Sequence, residues 1–316
     1  MPRPPRPLFK RILQHPALME RPPVLVDIGA SGAMHAKWQP IAASSICIAF
    51  DADQRELSHT KRASSGYKEL HVVPAAVTAE DRGDTRFYLT QSPYCSSLLH
   101  PNNEALRPWD FAPLFEVTGE TNVPTTTLPE VLLILDLDYI DWFKTDSQGT
   151  DLRLFMSLHE EIRREILIAE FEPGLIDAYE GEDKLHAVLS RMEQEPFWLS
   201  SLDIKGPRRI RSELLQNRST QQQRLWTKGQ RLSPGWGEMT YLNQLQGKPA
   251  LRSYLLGWMI AVLEDQHGFA LELMGNAIEQ YEEPLLHELK EWTKRRLTRS
   301  GLMCVPGWVL GKLLGR

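Results

Sequence analysis

Cysteine is scarce in this sequence: Cys47, Cys95 and Cys304 are the only three in 316 residues. Their odd number and wide separation exclude a disulfide framework and a CxxC metal knuckle, and point to a reducing compartment. Long apolar runs are missing as well. None approaches the roughly 20 residues needed to span a bilayer, and residues 1–22, rich in proline and arginine, lack the apolar core of a signal peptide. Positive charge is not in excess. The formal net charge of −5 and pI near 6.0 supply no basic field for nucleic acid. The histidines show neither HxxxH nor HExxH spacing, so no zinc site is expected. These absences lead us to expect a cytoplasmic protein without a transmembrane segment.

At 42% hydrophobic and 24% charged residues, the chain can bury a core of one large domain plus an appendage. Short apolar runs at 24–28, 46–50, 70–73, 141–146 and 166–172 have the form of buried parallel strands. Residues 85–90, 197–202 and 239–242 are further strand candidates. Helical spacing at 152–164 and 184–193 interleaves with them, which implies a parallel sheet with helices on both faces. Residues 206–235 are polar and basic, an excursion read as a solvated charge run. From residue 249 the pattern is helical, over 251–266, 269–281 and 284–299. The expected organisation is an N-terminal arm at 1–22, a main α/β domain at 23–248 and a helical C-terminal extension at 249–316. Residues 8–13 form one short basic amphipathic turn suited to weak peripheral membrane contact, with a loose arm as the favoured reading.

The chemistry is concentrated in Val26-Asp27-Ile28-Gly29-Ala30-Ser31-Gly32 and in Asp51. Small residues at a strand end let backbone approach a ligand, and the following amides suit an anion or a polar tail. An acid at the end of the second strand, about 20 residues on, is placed for ribose hydroxyls. The pattern indicates an adenosine-containing cofactor. The dinucleotide fingerprint G-x-G-x-x-G is absent, Ser31 standing where its second glycine would be. Asp27 favours a cofactor with a cationic amino-acid tail over a pyrophosphate.

Further blocks follow in order: Phe50-Asp51-Ala52, Ala75-Ala76-Val77, Ser96-Ser97-Leu98 and Val123-Pro124-Thr125-Thr126-Thr127-Leu128. After them come Lys144-Thr145-Asp146-Ser147-Gln148-Gly149-Thr150-Asp151, then Glu170-Phe171-Glu172 with Tyr179. In this ordered set the chain resembles the FkbM-type methyltransferase family over roughly residues 23–205. The resemblance implies an α/β fold with a Rossmann-like class I methyltransferase sheet. It also implies S-adenosylmethionine as methyl donor and O-methylation of a sugar, glycan or glycosylated metabolite. Two positions depart from the family pattern: Ala33 or Met34 stands where a further glycine is usual, and Gln148 where glutamate is common.

On this reading Asp27, Gly29, Ala30, Ser31 and Gly32 meet the methionine moiety, Asp51 the ribose and Ala76 the adenine. Asp146, at the end of a core strand, is the catalytic candidate, and capping of the next helix is its structural alternative. Glu172 and His100 are the further acid–base candidates, set against a solvated strand end and an exposed loop histidine. No metal is demanded, although Asp146 with Glu170 or Glu172 has donors suited to Mg²⁺. A nicotinamide-dependent sugar-nucleotide enzyme and a non-catalytic binding module remain the competing readings.

Overall fold

The protein is described by a computed structural model covering residues 5–30, 35–53, 66–216 and 218–304. Two compact units emerge, one formed by Pro23–Asn243 and the other by Met1–Pro22 with Gln244–Arg316.

The larger unit is built on eleven strands among its described residues. They are β1 (Val24–Ile28), β2 (Ile46–Phe50), β3 (Glu69–Val73), β4 (Ala76–Val77), β5 (Thr85–Thr90) and β6 (Val117–Val123). They continue with β7 (Thr125–Thr126), β8 (Trp142–Thr145), β9 (Ile168–Phe171), β10 (Phe197–Lys205) and β11 (Trp236–Asn243). Seven form the central sheet in the order β10-β11-β9-β8-β1-β2-β3. The block β9-β8-β1-β2-β3 is parallel throughout, while β11 runs antiparallel to both β9 and β10. The chain is thus a mixed α/β protein with a mostly parallel sheet. β4 pairs with β7, and β5 with β6, in two small separate sheets.

Register explains the apolar runs. Ile48, Val26, Phe143, Ala169 and Tyr241 lie side by side across five strands, and all are buried in one core. Helices Leu128–Ile134, Asp151–Met156 and Leu185–Met192 cover that face with Val131, Leu132, Leu154, Phe155 and Val188. On the opposite face Trp38 meets Trp142 edge-on at 5.9 Å. Residues 152–164, expected as one helix, form two, Asp151–Met156 and Glu160–Glu165. The excursion at 206–235 carries helices Ser212–Gln216 and Thr220–Lys228, the second started by a capping box between Ser219 and Gln222.

In the smaller unit, helix Leu251–Leu263 is apolar from Leu255 onward and almost wholly buried, as a helix packed all round must be. Trp258 donates its indole N–H to Thr293 Oγ1 at 2.8 Å and stands edge-on to Trp292. Leu255, Leu256, Met259 and Leu273 are fully buried, and Leu263, Leu271 and Ile278 partly so. The arm differs from the loose lead-in expected of it. Residues Arg6–Leu13 and Pro16–Glu20 are helices, and Phe9 and Ile12 are buried, Phe9 edge-on to Trp258. The apolar side suited to a membrane surface is therefore committed within this unit. Among the described residues no helix is long and apolar enough to cross a membrane.

Candidate functional site

The parallel block reverses direction of travel between β1 and β8, the topological switch point at which open α/β sheets bind ligands beyond the carboxyl ends of their strands. A cavity opens there. Gly29, Asp51, Ala76 and Asp146 all line it, from the ends of β1, β2 and β8 and from β4. Gly29 is required twice over. Its φ is +79°, and a Cβ at this position would lie 2.3 Å from the Asp146 carbonyl oxygen. Backbone closes the turn: the N–H groups of Gly29 and Ala30 both donate to the Phe50 carbonyl at 3.0 Å.

Asp51 turns toward the cavity with Asp53, whose backbone N–H donates to Asp51 Oδ1 at 2.8 Å. Next to them Ala75, Ala76, Val77, Phe87 and Leu98 form an apolar wall. The exposed ring of Tyr94 stands at the same cavity. Charge on the lining is of one sign: Asp51, Asp53 and Asp146 contribute carboxylates, and no lysine or arginine lines it among the described residues.

Asp146 does not cap the following helix. That helix has no side-chain cap, and Asp146 lines the cavity, where the Gln148 side-chain amide donates to its Oδ1. Gln148 is itself held. It sits at φ +56°, and Tyr179 Oη lies 2.8 Å from its Oε1 and 2.8 Å from the Cys95 carbonyl. Buried Asp151 fastens the surrounding backbone, accepting from Ser147 N–H at 3.0 Å, Thr145 Oγ1 at 3.1 Å and Glu172 N–H at 2.7 Å. The strand ends of β8 and β9 thereby share one carboxylate.

Burial raises the Asp146 carboxyl to about 6, with Lys144 opposing and Asp151 adding to the shift. Burial, then the Asp146 charge, pushes Glu172 higher still, to about 9. Near neutral pH the two are driven into different states, Asp146 ionised and Glu172 protonated. Because the folded-state value of Glu172 lies above the unfolded one, its contribution to stability is complete at low pH. It is lost as pH rises from the ordinary carboxylate range toward 9. Each pH unit in that window is worth up to about 1.4 kcal/mol for one group. Glu172→Gln should therefore raise the thermal midpoint at pH 8–9 by the equivalent of at least about 1 kcal/mol. Near pH 5 it should change little, and melting curves across pH check this.

Asp27 has a different place from the one expected. It faces Lys144 across the β1–β8 register, Nζ donating to its Oδ1 at 2.8 Å. One strand further, Glu170 pairs with Lys37 at 3.4 Å and accepts from the Trp142 indole at 2.7 Å. Burial opposes the Lys144 charge, but Asp27 and Asp146 outweigh it and hold the amine protonated. The charge of Asp27 is thus paired within the sheet, and the carboxylates that line the cavity are those of Asp51, Asp53 and Asp146. His100 is not brought to the cavity: it packs edge-on against Tyr88 at 4.9 Å and lies 3.7 Å from Glu180. Glu172 adjoins Asp146 electrostatically but does not line the cavity. Ala30 is buried in the turn, and Ser31 and Gly32 lie outside the described residues.

The sequence assigns no role to Asp53, to Gln148 as a donor, or to Lys144, which stands there only as the head of its block. The last was detectable, since charges of opposite sign in neighbouring core strands must meet. Among the described residues no group of three His, Cys, Asp or Glu side chains could hold a metal ion. Burial raises the Cys47 and Cys95 thiols to about 12 and about 11, which leaves both as packing residues. No family model, no curated protein and no solved structure matches the chain.

Proposed function

We propose that this protein is an S-adenosylmethionine-dependent O-methyltransferase acting on a hydroxyl of a sugar, glycan or glycosylated metabolite. The observation that carries the reading is a cavity at the switch point lined by three carboxylates and, among the described residues, by no lysine or arginine. A sulfonium cofactor with an ammonium tail is attracted to such a lining, and a pyrophosphate is repelled. The residues fit the group. Asp51 offers carboxyl oxygens to ribose hydroxyls, and the apolar wall around Ala76 accommodates an adenine. The Gly29 turn leaves the backbone clear where a Cβ would collide.

The sheet supports a class I methyltransferase form over a nicotinamide enzyme. A dinucleotide fold has the parallel order 3-2-1-4-5-6, whereas here the seventh sheet strand is reversed and inserted beside the fifth. When bound, S-adenosylmethionine supplies an activated methyl carbon open to in-line displacement. The chain's own task is then to align the acceptor and remove its proton. Asp146 lines the cavity as an ionised carboxylate oriented by Gln148, and we assign it that proton. The buried thiols suit a cytoplasmic setting.

Calorimetric titration with S-adenosylmethionine and with NAD tests the reading. S-adenosylmethionine should bind and NAD should not, and the reverse would overturn the assignment. Asp51→Ala should weaken S-adenosylmethionine binding by about 1–3 kcal/mol with the fold intact.

A further inference from the structure

The excursion between β10 and β11 has no part in the cavity, yet it departs from the rest of the chain in charge and in what it exposes. Residues 206–235 hold seven basic side chains and one acid, Glu213, for a net +6. The whole chain carries −5, so the remainder carries −11. Neither helix of the excursion buries a side chain. Large apolar groups are nonetheless placed there, with Leu225 69% exposed, Leu214 58%, Leu232 53% and Trp226 41%. A solvated charge run accounts for the arginines and leaves these four unexplained.

We infer that this excursion docks the protein on an anionic lipid surface. Each exposed apolar side chain has an exposed cation close by in sequence: Arg211 near Leu214, Arg224 beside Leu225, Lys228 near Trp226, and Arg231 beside Leu232. Arg218 lies over the Trp226 ring at 4.8 Å. Single apolar groups interleaved with cations suit a lipid interface, where side chains dip below a layer of phosphates and carboxylates without shape matching. Tryptophan is at home at that depth. A protein partner would call for a contiguous core depleted of charge, and nucleic acid for stacking faces that leucine lacks. The acidic remainder of the chain is repelled by the same lipids, so the excursion is the part that approaches them.

The test is co-sedimentation of the full chain with vesicles made of equal parts phosphatidylcholine and phosphatidylserine, beside phosphatidylcholine alone. Binding is expected to the anionic vesicles only and should weaken as salt is raised. Replacing Arg224, Lys228 and Arg231 together by glutamine should reduce partitioning on the order of a hundredfold. Leu225→Ser with Trp226→Ser should reduce it at least about tenfold. S-adenosylmethionine binding and thermal midpoint should be unchanged in both. Equal binding to the two vesicle types, or none to either, overturns the inference. So does capture of a single-stranded oligonucleotide in place of vesicles, or a solution dimer that the apolar pair disperses.

Discussion

Gly29→Ala is expected to lower stability by about 2–4 kcal/mol and to abolish S-adenosylmethionine binding. A non-glycine residue held at φ +79° costs about 1–3 kcal/mol. A methyl placed 2.3 Å from the Asp146 carbonyl cannot be relieved by a side-chain rotation, because the obstacle is backbone. The Asp146 N–H donates to the Ile28 carbonyl at 2.9 Å, so pushing the two strand ends apart breaks that bond as well. Since β1 and β8 form the switch point, the displacement moves Asp146 relative to Asp51 and disassembles the cavity. Thermal denaturation and calorimetry on one preparation separate the two effects. A variant that melts like the parent and binds S-adenosylmethionine normally would mean that the turn tolerates a side chain.

Asp146→Asn should reduce methyl transfer by about 10²–10⁴-fold, the usual worth of a positioned general base. Cofactor affinity should change far less. The pH dependence provides a second signature. A base must be deprotonated to act, and burial places this carboxyl at about 6. Turnover by the parent enzyme should rise through that pH and level off above it, while the asparagine variant loses the inflection. Loss of affinity with turnover preserved at saturating cofactor would make Asp146 a binding residue. Asparagine retains an oxygen able to accept from Gln148, so a collapse of the loop is not the expected route to inactivity.

The core strands could be read from the sequence because each is a run of apolar residues closed by a small or acidic one. Parallel strands buried on both faces leave few other patterns open to them. Asp51 and Asp146 were visible for the same reason, as acids at strand ends. β6 was not, since Val117–Val123 is mostly exposed and polar, and only its pairing with β5 makes it a strand. The arm, expected to be a loose lead-in, is helical. Pro7 and Pro16 lie in the first turns of helices, where the ring costs nothing, rather than breaking them. Gln148 stands out in the sequence only as a departure from glutamate, because its job depends on Tyr179, 31 residues away, and no local pattern carries that. His100 failed for the converse reason, a plausible residue type whose loop packs it against Tyr88.

The smaller unit joins the first 22 residues to those after 243, with Arg11 paired to Glu288 and Arg252 donating to the Arg21 and Pro22 carbonyls. This fixes an order of events during synthesis. When Asn243 leaves the ribosome, every strand of the sheet is available and the larger unit can close. Phe9 and Ile12, made before the sheet, must then wait for Trp258 and its neighbours. Closing so long an intervening chain adds little entropy, because the cost grows only with the logarithm of its length. The delay instead leaves Phe9 and Ile12 unburied while the whole of the larger unit is made, so that they fold after residues that follow them in the chain.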